Sequence, residues 1–355
     1  MPPNTWTMRA RNEVSTLEES ILGDLDEIDG GIRWWSGHDL ATETRCGLSD
    51  YLIDAVRGIG KHLSMADFYL EEYSRKRTSA DFLLRGRMRN NGGDPVGRGL
   101  DLPKDQQSDL QLQSFVYAFF NAASSVLDTL AGTVIGVAGL NLPLVKADLA
   151  KFAPFSMGTD YPSRKTRVGK SLHPEPAAQA LQLALVRSFR TSLMAAGPEG
   201  WHIWLDHKRN QLAHRGGRLQ LVAFPRRGRG LDTERFLLLD RDPDLTTVQG
   251  FSRDSSTMET MYLLEDELTT MTGLLKSLNS TVIGTVVAAK NLWENRRATP
   301  LLITQPATQW HEPQNSSGFN GYQPTPDLLK ALNAVIVSPT DSTRLNASQA
   351  LNKRR

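Results

Sequence analysis

Ser49-Asp50-Tyr51-Leu52-Ile53-Asp54-Ala55-Val56-Arg57-Gly58-Ile59-Gly60-Lys61-His62-Leu63-Ser64-Met65-Ala66-Asp67-Phe68-Tyr69-Leu70 is the stretch whose reading decides the fold. Leu52, Val56, Ile59, Leu63, Ala66 and Leu70 recur at alternating steps of four and three, which lays one apolar stripe along a helix. Gly58 and Gly60 lower the local propensity, so tertiary packing must hold this helix. On its N-terminal side, residues 1–48 read as a polar, irregular extension with one short helix from about Leu17 to Ile28, ended by Gly30-Gly31. On its C-terminal side the chain turns basic from Arg75 to Arg98 and runs into Asn90-Asn91-Gly92-Gly93-Asp94-Pro95, a cluster of loop formers.

The same period returns downstream. A second helix is expected from about Gln106 to Leu130 or beyond, rich in Phe115, Val116, Phe119, Phe120, Val126 and Leu127. Along it Asn121, Ser124, Ser125 and Asp128 fall at i, i+3, i+4 and i+7, a polar stripe that is either a solvated face or one wall of a polar cleft. Residues 138–172 read as a long connection. A helix then opens near Pro174 and Pro176 and stops before Gly197-Pro198, and another carries Trp201, Trp204, Leu205 and Leu212 up to a cap at Gly216-Gly217. Leu219–Phe224 and Arg235–Leu239 read as a β-hairpin inserted at about 218–240. Leu264, Leu268, Met271, Leu275, Leu278, Val282 and Val286 mark a last long helix. Beyond Arg297 the chain is rich in Pro, Gln, Asn, Ser and Thr, which bury too little apolar surface to offset ordering entropy. The expectation is an all-α fold in one domain, 49–297, followed by a low-complexity, largely disordered tail over 298–355 with a short helix at Pro326–Ile336.

Composition narrows the function classes. The chain has 355 residues, 41 Lys and Arg against 39 Asp and Glu, 39% hydrophobic and 23% charged residues, which excludes a membrane-spanning or wholly disordered chain. The most apolar stretch, Val116–Val145, is broken by Asn121, Asp128 and Asn141 and reads as a buried helix, not a span. The single Cys46 forms no internal disulfide and rules out a zinc site built on several thiolates. Met1-Pro2-Pro3-Asn4-Thr5-Trp6 lacks the basic start and apolar core of a signal peptide, so a cytoplasmic protein is expected.

One segment carries chemistry: Asp206-His207-Lys208-Arg209-Asn210-Gln211-Leu212-Ala213-His214-Arg215. On a helix Asn210 and His214 share a face one turn apart, whereas Arg209 lies ~140° around the axis from His214 at ~100° per residue. Convergence then needs the long reach of arginine, a loosened last turn before Gly216, or two copies completing one site across a symmetric interface. His207 and His214 stand ~10 Å apart, too far for a shared metal, and His202 with Asp206 at i+4 reads as a surface hydrogen bond, so no metal or cofactor is expected.

Arginine, polar residue and histidine after four intervening positions resemble the signature of the HEPN (higher eukaryotes and prokaryotes nucleotide-binding) superfamily, matched here by Arg209, Asn210 and His214. The aromatic and alanine-rich helix Phe115–Asp128 is similar to the core helix of many bacterial members, and the likeness covers roughly Ser49 to Arg297. The resemblance implies a helical bundle that pairs as a homodimer, with two facing motifs forming a metal-independent endoribonuclease active in bacterial stress response or phage defence. It implies RNA as substrate and a regulatory or antitoxin protein as partner. Some members carry a tyrosine two positions after the histidine that a partner enzyme modifies; Gly216 stands there, so that form of control is not expected.

The residue types suit the reaction. Attack of a ribose 2′-hydroxyl on its own phosphate needs a proton acceptor, a donor to the leaving 5′-oxygen and a cation for the phosphorane. Histidine exchanges protons near neutrality, arginine offers phosphate a bidentate fork, and asparagine orients a hydroxyl or the imidazole. The macrodipole favours protonated His214 at the end of its helix, and burial opposes it. Two other readings stand beside catalysis. The same helices serve as a non-catalytic module for dimerisation, RNA or partner-protein binding, or Arg209 and His214 merely cap free carbonyls.

Charge is segregated. His207–Gly230 holds seven Lys or Arg (Lys208, Arg209, Arg215, Arg218, Arg226, Arg227, Arg229) and no acid, and Arg75–Arg98 holds seven more against Asp81 and Asp94. A basic run that begins at the motif is placed to track a phosphate backbone, with Lys208, Arg215 and Arg218 as the nearest RNA contacts.

Overall fold

A computed structural model describes residues 5–26, 28, 30–90, 103–142, 147–153, 161–163, 165–214, 221–225, 233–240, 262–303 and 322. Seven helices carry these residues: α1 (Thr5–Leu22), α2 (Thr42–Asn90), α3 (Pro103–Ala138), the single turn α4 (Arg167–Lys170), α5 (Pro176–Ala195), α6 (Trp201–His214) and α7 (Glu267–Ala298). The described part is mostly helical, as the periodicity predicts. The expected tail helix, the Gly216-Gly217 cap and nearly all of 298–355 lie outside the described residues.

Two apolar rods make the centre. α3 is buried along its second half, from Val116 through Phe119, Phe120, Val126, Leu130, Val134 and Ala138. Its segment Gln107–Ala138 is long and apolar enough to cross a membrane by length and composition, and 72% of its most apolar window is buried inside this fold. α7 is enclosed by α1, α2, α3 and α5 and buries Met271, Leu275, Leu278, Val282, Val286, Ala289 and Trp293. The stripe Leu52, Val56, Ile59, Leu63, Ala66 and Leu70 of α2 is buried throughout. Gly58 has a packing reason: a Cβ there would meet Thr129 Cγ2 at 2.8 Å, so the glycine sets how closely α2 approaches α3.

Three boundaries differ from the sequence expectation. The N-terminal helix is longer and earlier than the expected Leu17–Ile28, spanning Thr5–Leu22, because Ala10, Val14, Leu17 and Ile21 repeat the four-and-three spacing on α1 and are all 3% exposed or less. α2 continues as helix through the basic segment to Asn90. Leu264 belongs to a strand and not to the last helix, because Asp266 caps α7, accepting from Thr269 N–H at 3.0 Å.

Strands β1 (Leu221–Pro225), β2 (Thr233–Asp240) and β3 (Tyr262–Asp266) form one antiparallel sheet in that order. Leu221 pairs with Leu237, and Leu238 with Leu264; β3 was not foreseen. The sheet is tied to α2 where Arg77 donates to Asp266 at 2.5 Å and Tyr73 donates to Glu267.

The far end of the bundle is closed by a buried cation. α3 stops at Gly139, whose φ of 59° is the left-handed geometry that ends helices. Arg296, fully buried, donates to Val137 O at 2.5 Å and to Ile303 O at 3.2 Å and lies 5.3 Å from the centre of the Trp34 ring. Burial lowers its pKa to about 9.

Candidate functional site

α6 docks on α3 through aromatic and aliphatic contacts. Leu205 is fully buried, Trp204 meets Phe120 edge-on with centroids 5.8 Å apart, and Trp201 donates its indole N–H to Leu193 O at 2.8 Å. This docking turns the motif toward the polar stripe of α3. Arg209 donates from Nε to Ser124 Oγ at 3.3 Å, and its Nη2 lies 3.3 Å from Asp206 Oδ1 and 3.7 Å from Asp128 Oδ2. Asn210 donates from Nδ2 to Asp206 Oδ2 at 3.3 Å. Asp206 thus holds both neighbouring motif residues, one on each oxygen. The stripe is a wall of a polar joint, and Ser124 within it is buried.

Asp128 is anchored from two sides, accepting also from Leu149 N–H at 3.1 Å. Burial raises its pKa above the ordinary value, with Asp206 and Asp148 adding to the rise, while the Leu149 hydrogen bond and Arg209 oppose it. On its other side Asp128 lines a cavity of about 380 Å³ between α2 and α3, together with Tyr51, Asp54, Ala55, Thr129, Gly132 and Ala147.

The remaining predicted residues divide. Lys208 is turned inward, 2% exposed, with Nζ donating to Gln211 Oε1 at 2.9 Å, because it lies on the face of α6 that meets the bundle. In that position it does not present a charge to RNA. His214 ends α6, but its side chain lies outside the described residues, as do Arg215 and Arg218. His202, expected at the surface, is 4% exposed, and burial lowers its pKa to about 4.

No family model matches the chain, and neither does any curated protein or solved structure. Function therefore rests on the residues themselves. Asp206 was legible only as a helix-face neighbour of His202, and its hold on Arg209 and Asn210 was missed. The spacing Asp206, Arg209, Asn210 at i, i+3, i+4 carried the signal. Among the described residues no group of three or more His, Cys, Asp or Glu could hold a metal ion.

Proposed function

We propose that this chain is a HEPN-type, RNA-directed helical protein that cleaves RNA without a metal by 2′-hydroxyl attack. In this reading Arg209 holds the phosphate, Asn210 orients the reacting groups and His214 moves protons. A second copy of the chain completes the site, a regulatory or antitoxin protein is a further partner, and the work is cytoplasmic, in bacterial stress or phage defence. The observation that supports it is the joint anchoring of Arg209 and Asn210 on Asp206 at a partly open seam, with the Arg209 side chain 28% exposed. A guanidinium so held is pre-oriented, and orientation is where catalytic sites gain most.

A second reading is a non-catalytic module for dimerisation, oligonucleotide or partner-protein binding. It is favoured by the two carboxylates on Arg209, since Asp128 and Asp206 offset the positive charge a phosphate would seek. One experiment separates the two. Labelled single-stranded RNA is incubated with the wild-type chain and with His214→Ala, with and without EDTA. Wild-type cleavage to 2′,3′-cyclic phosphate ends, unaffected by EDTA and lost in the variant, is the expected result. Full cleavage by His214→Ala would sink the catalytic assignment. Salt-dependent binding with no cutting by either protein selects the oligonucleotide-binding form of the second reading, and neither binding nor cutting overturns an RNA-directed function and leaves dimerisation or partner-protein binding.

A further inference from the structure

The basic runs that stand out in the sequence are partly neutralised by the protein's own carboxylates or turned inward. Arg75 pairs with Glu72, Arg77 with Asp81 and Asp266, Arg209 with Asp128 and Asp206, and Lys208 is buried. A different surface carries unneutralised charge. From Lys146 to Arg190 the sequence has eight Lys or Arg against Asp148, Asp160 and Glu175, and Asp148 is already paired with Lys151 at 2.8 Å. Among the described residues, no carboxylate stands within 4.0 Å of Lys165, Arg167, Lys170, Arg187 or Arg190.

These five cations are gathered by the fold. Arg187 and Arg190 lie at i and i+3 on one face of α5. Tyr161 ties the connecting segment to that face: its carbonyl accepts from Arg187 Nε at 3.3 Å, its ring lies 5.2 Å from the Arg190 guanidinium, and its hydroxyl donates to Phe152 O at 3.0 Å. Phe152 stacks edge-on against Phe189 with centroids 5.0 Å apart. Lys165, Arg167 and Lys170 follow on and around α4, and His173 N–H donates to Gln182 Oε1 at 2.6 Å, which brings the end of this segment back to α5. From Gln182 to Arg190 the helix rises about 12 Å at ~1.5 Å per residue.

We infer that this surface of α4 and α5, with Lys165 just before α4, binds the phosphate backbone of single-stranded RNA. This rests on the proposed RNA-directed function. Described residues 147–200 expose no large apolar side chain that would stack on bases or enter a bilayer, so recognition is of phosphates and not of sequence.

The test is fluorescence anisotropy of a labelled oligouridylate in EDTA, measured from low to moderate salt in a His214→Ala background. The variants are Arg187→Gln/Arg190→Gln and, on exposed positions, Lys165→Gln/Arg167→Gln/Lys170→Gln. Each removed charge should flatten the slope of log affinity against log salt by about 0.7, hence by about 1.4 for the first variant and about 2 for the second. An unchanged slope in the triple variant, with its fold verified by circular dichroism, overturns the inference. So does displacement of the RNA by an equal charge of poly-glutamate, which marks an acidic-protein surface instead. Flattened slopes alongside undiminished cleavage by His214→Ala would keep this surface and remove the catalytic assignment.

Discussion

Arg209 reaches across from α6 to donate its Nε–H to the Ser124 hydroxyl of α3, 3.3 Å away. The bond joins the motif helix to the most apolar rod of the bundle at one of its few polar points. Ser124→Ala leaves the Nε–H without this acceptor while the two carboxylates remain. A double-mutant cycle of Ser124→Ala with Arg209→Ala, read by urea unfolding, should return a coupling of about 1 kcal/mol. Additive effects would show that the bond contributes nothing to the α3–α6 joint.

Asp206 accepts from both Arg209 and Asn210, and under the proposed function it positions them. Asp206→Asn keeps an oxygen for one of them and removes the charge that competes with phosphate. RNA should bind tighter, with KM falling several-fold. The rate should fall, because a displacement on the order of 1 Å in a catalytic group costs roughly 10²-fold. Steady-state kinetics on a labelled RNA separates the two parameters. A kcat equal to wild type would mean that Asp206 does not position the motif.

His202 makes stability fall with acid. Its folded pKa of about 4 lies below the ordinary value of 6.5, so between pH 6.5 and pH 4 the unfolded chain takes up a proton that the folded chain refuses. Stability from this group is therefore intact above pH 6.5, declines as pH drops toward 4 and is level below it. The full loss is about 3 kcal/mol at ~1.4 kcal/mol per pKa unit. His202→Phe should remove that slope from a series of urea midpoints at pH 4 to 7.5. An unchanged slope would place the acid sensitivity elsewhere.

Helix existence was legible because the four-and-three spacing is long and repeated in α2, α3 and α7. It was present in α1 too, at Ala10, Val14, Leu17 and Ile21, but the polar residues between them masked a stripe only four positions long. β3 was missed because Leu264 fits the four-and-three period of Leu268, Met271 and Leu275, and only the cap at Asp266 separates strand from helix. At the site, the motif residues could be named from spacing, whereas their partners could not. Asp128 lies 81 positions from Arg209, and which face of α3 meets α6 is decided by the packing of Trp204 on Phe120. That the cations of α4 and α5 have no carboxylate partner among the described residues was hidden for a related reason, since pairing depends on neighbours distant in the chain.

Arg296 should be among the most sensitive positions in the chain. It holds Val137 O and Ile303 O, and nearby Gly139 leaves room for it, since a Cβ there would come within 3.1 Å of the guanidinium. Arg296→Ala strands buried carbonyls and opens a cavity, a loss of about 3–5 kcal/mol. Arg296→Lys keeps the charge but cannot span both carbonyls with a rigid fork, and should recover only part of that loss. Urea midpoints order the three proteins. Equal stability of the lysine variant and wild type would show that charge, not geometry, closes this end of the bundle.

Asp266 joins two functions on one carboxylate, capping α7 through Thr269 N–H and pairing with Arg77 of α2. Burial alone would raise its pKa, but the Arg77 and Thr269 hydrogen bonds outweigh it and hold the carboxyl below its ordinary range. The stabilisation is therefore complete above the unfolded value of about 3.9 and is lost as pH falls through the lower folded value. Asp266→Asn retains a capping oxygen, so at pH 7 it should cost less than Asp266→Ala, for which loss of the cap alone is about 1 kcal/mol. Both variants should lose the part of the acid-unfolding slope that begins just below pH 4. Because Asp266 also starts the chain from β3 into α7, hydrogen exchange in the first turn of α7 should accelerate in Asp266→Ala ahead of the helix middle. Uniform acceleration along α7 would instead mean that the cap is coupled to global unfolding and not to local fraying.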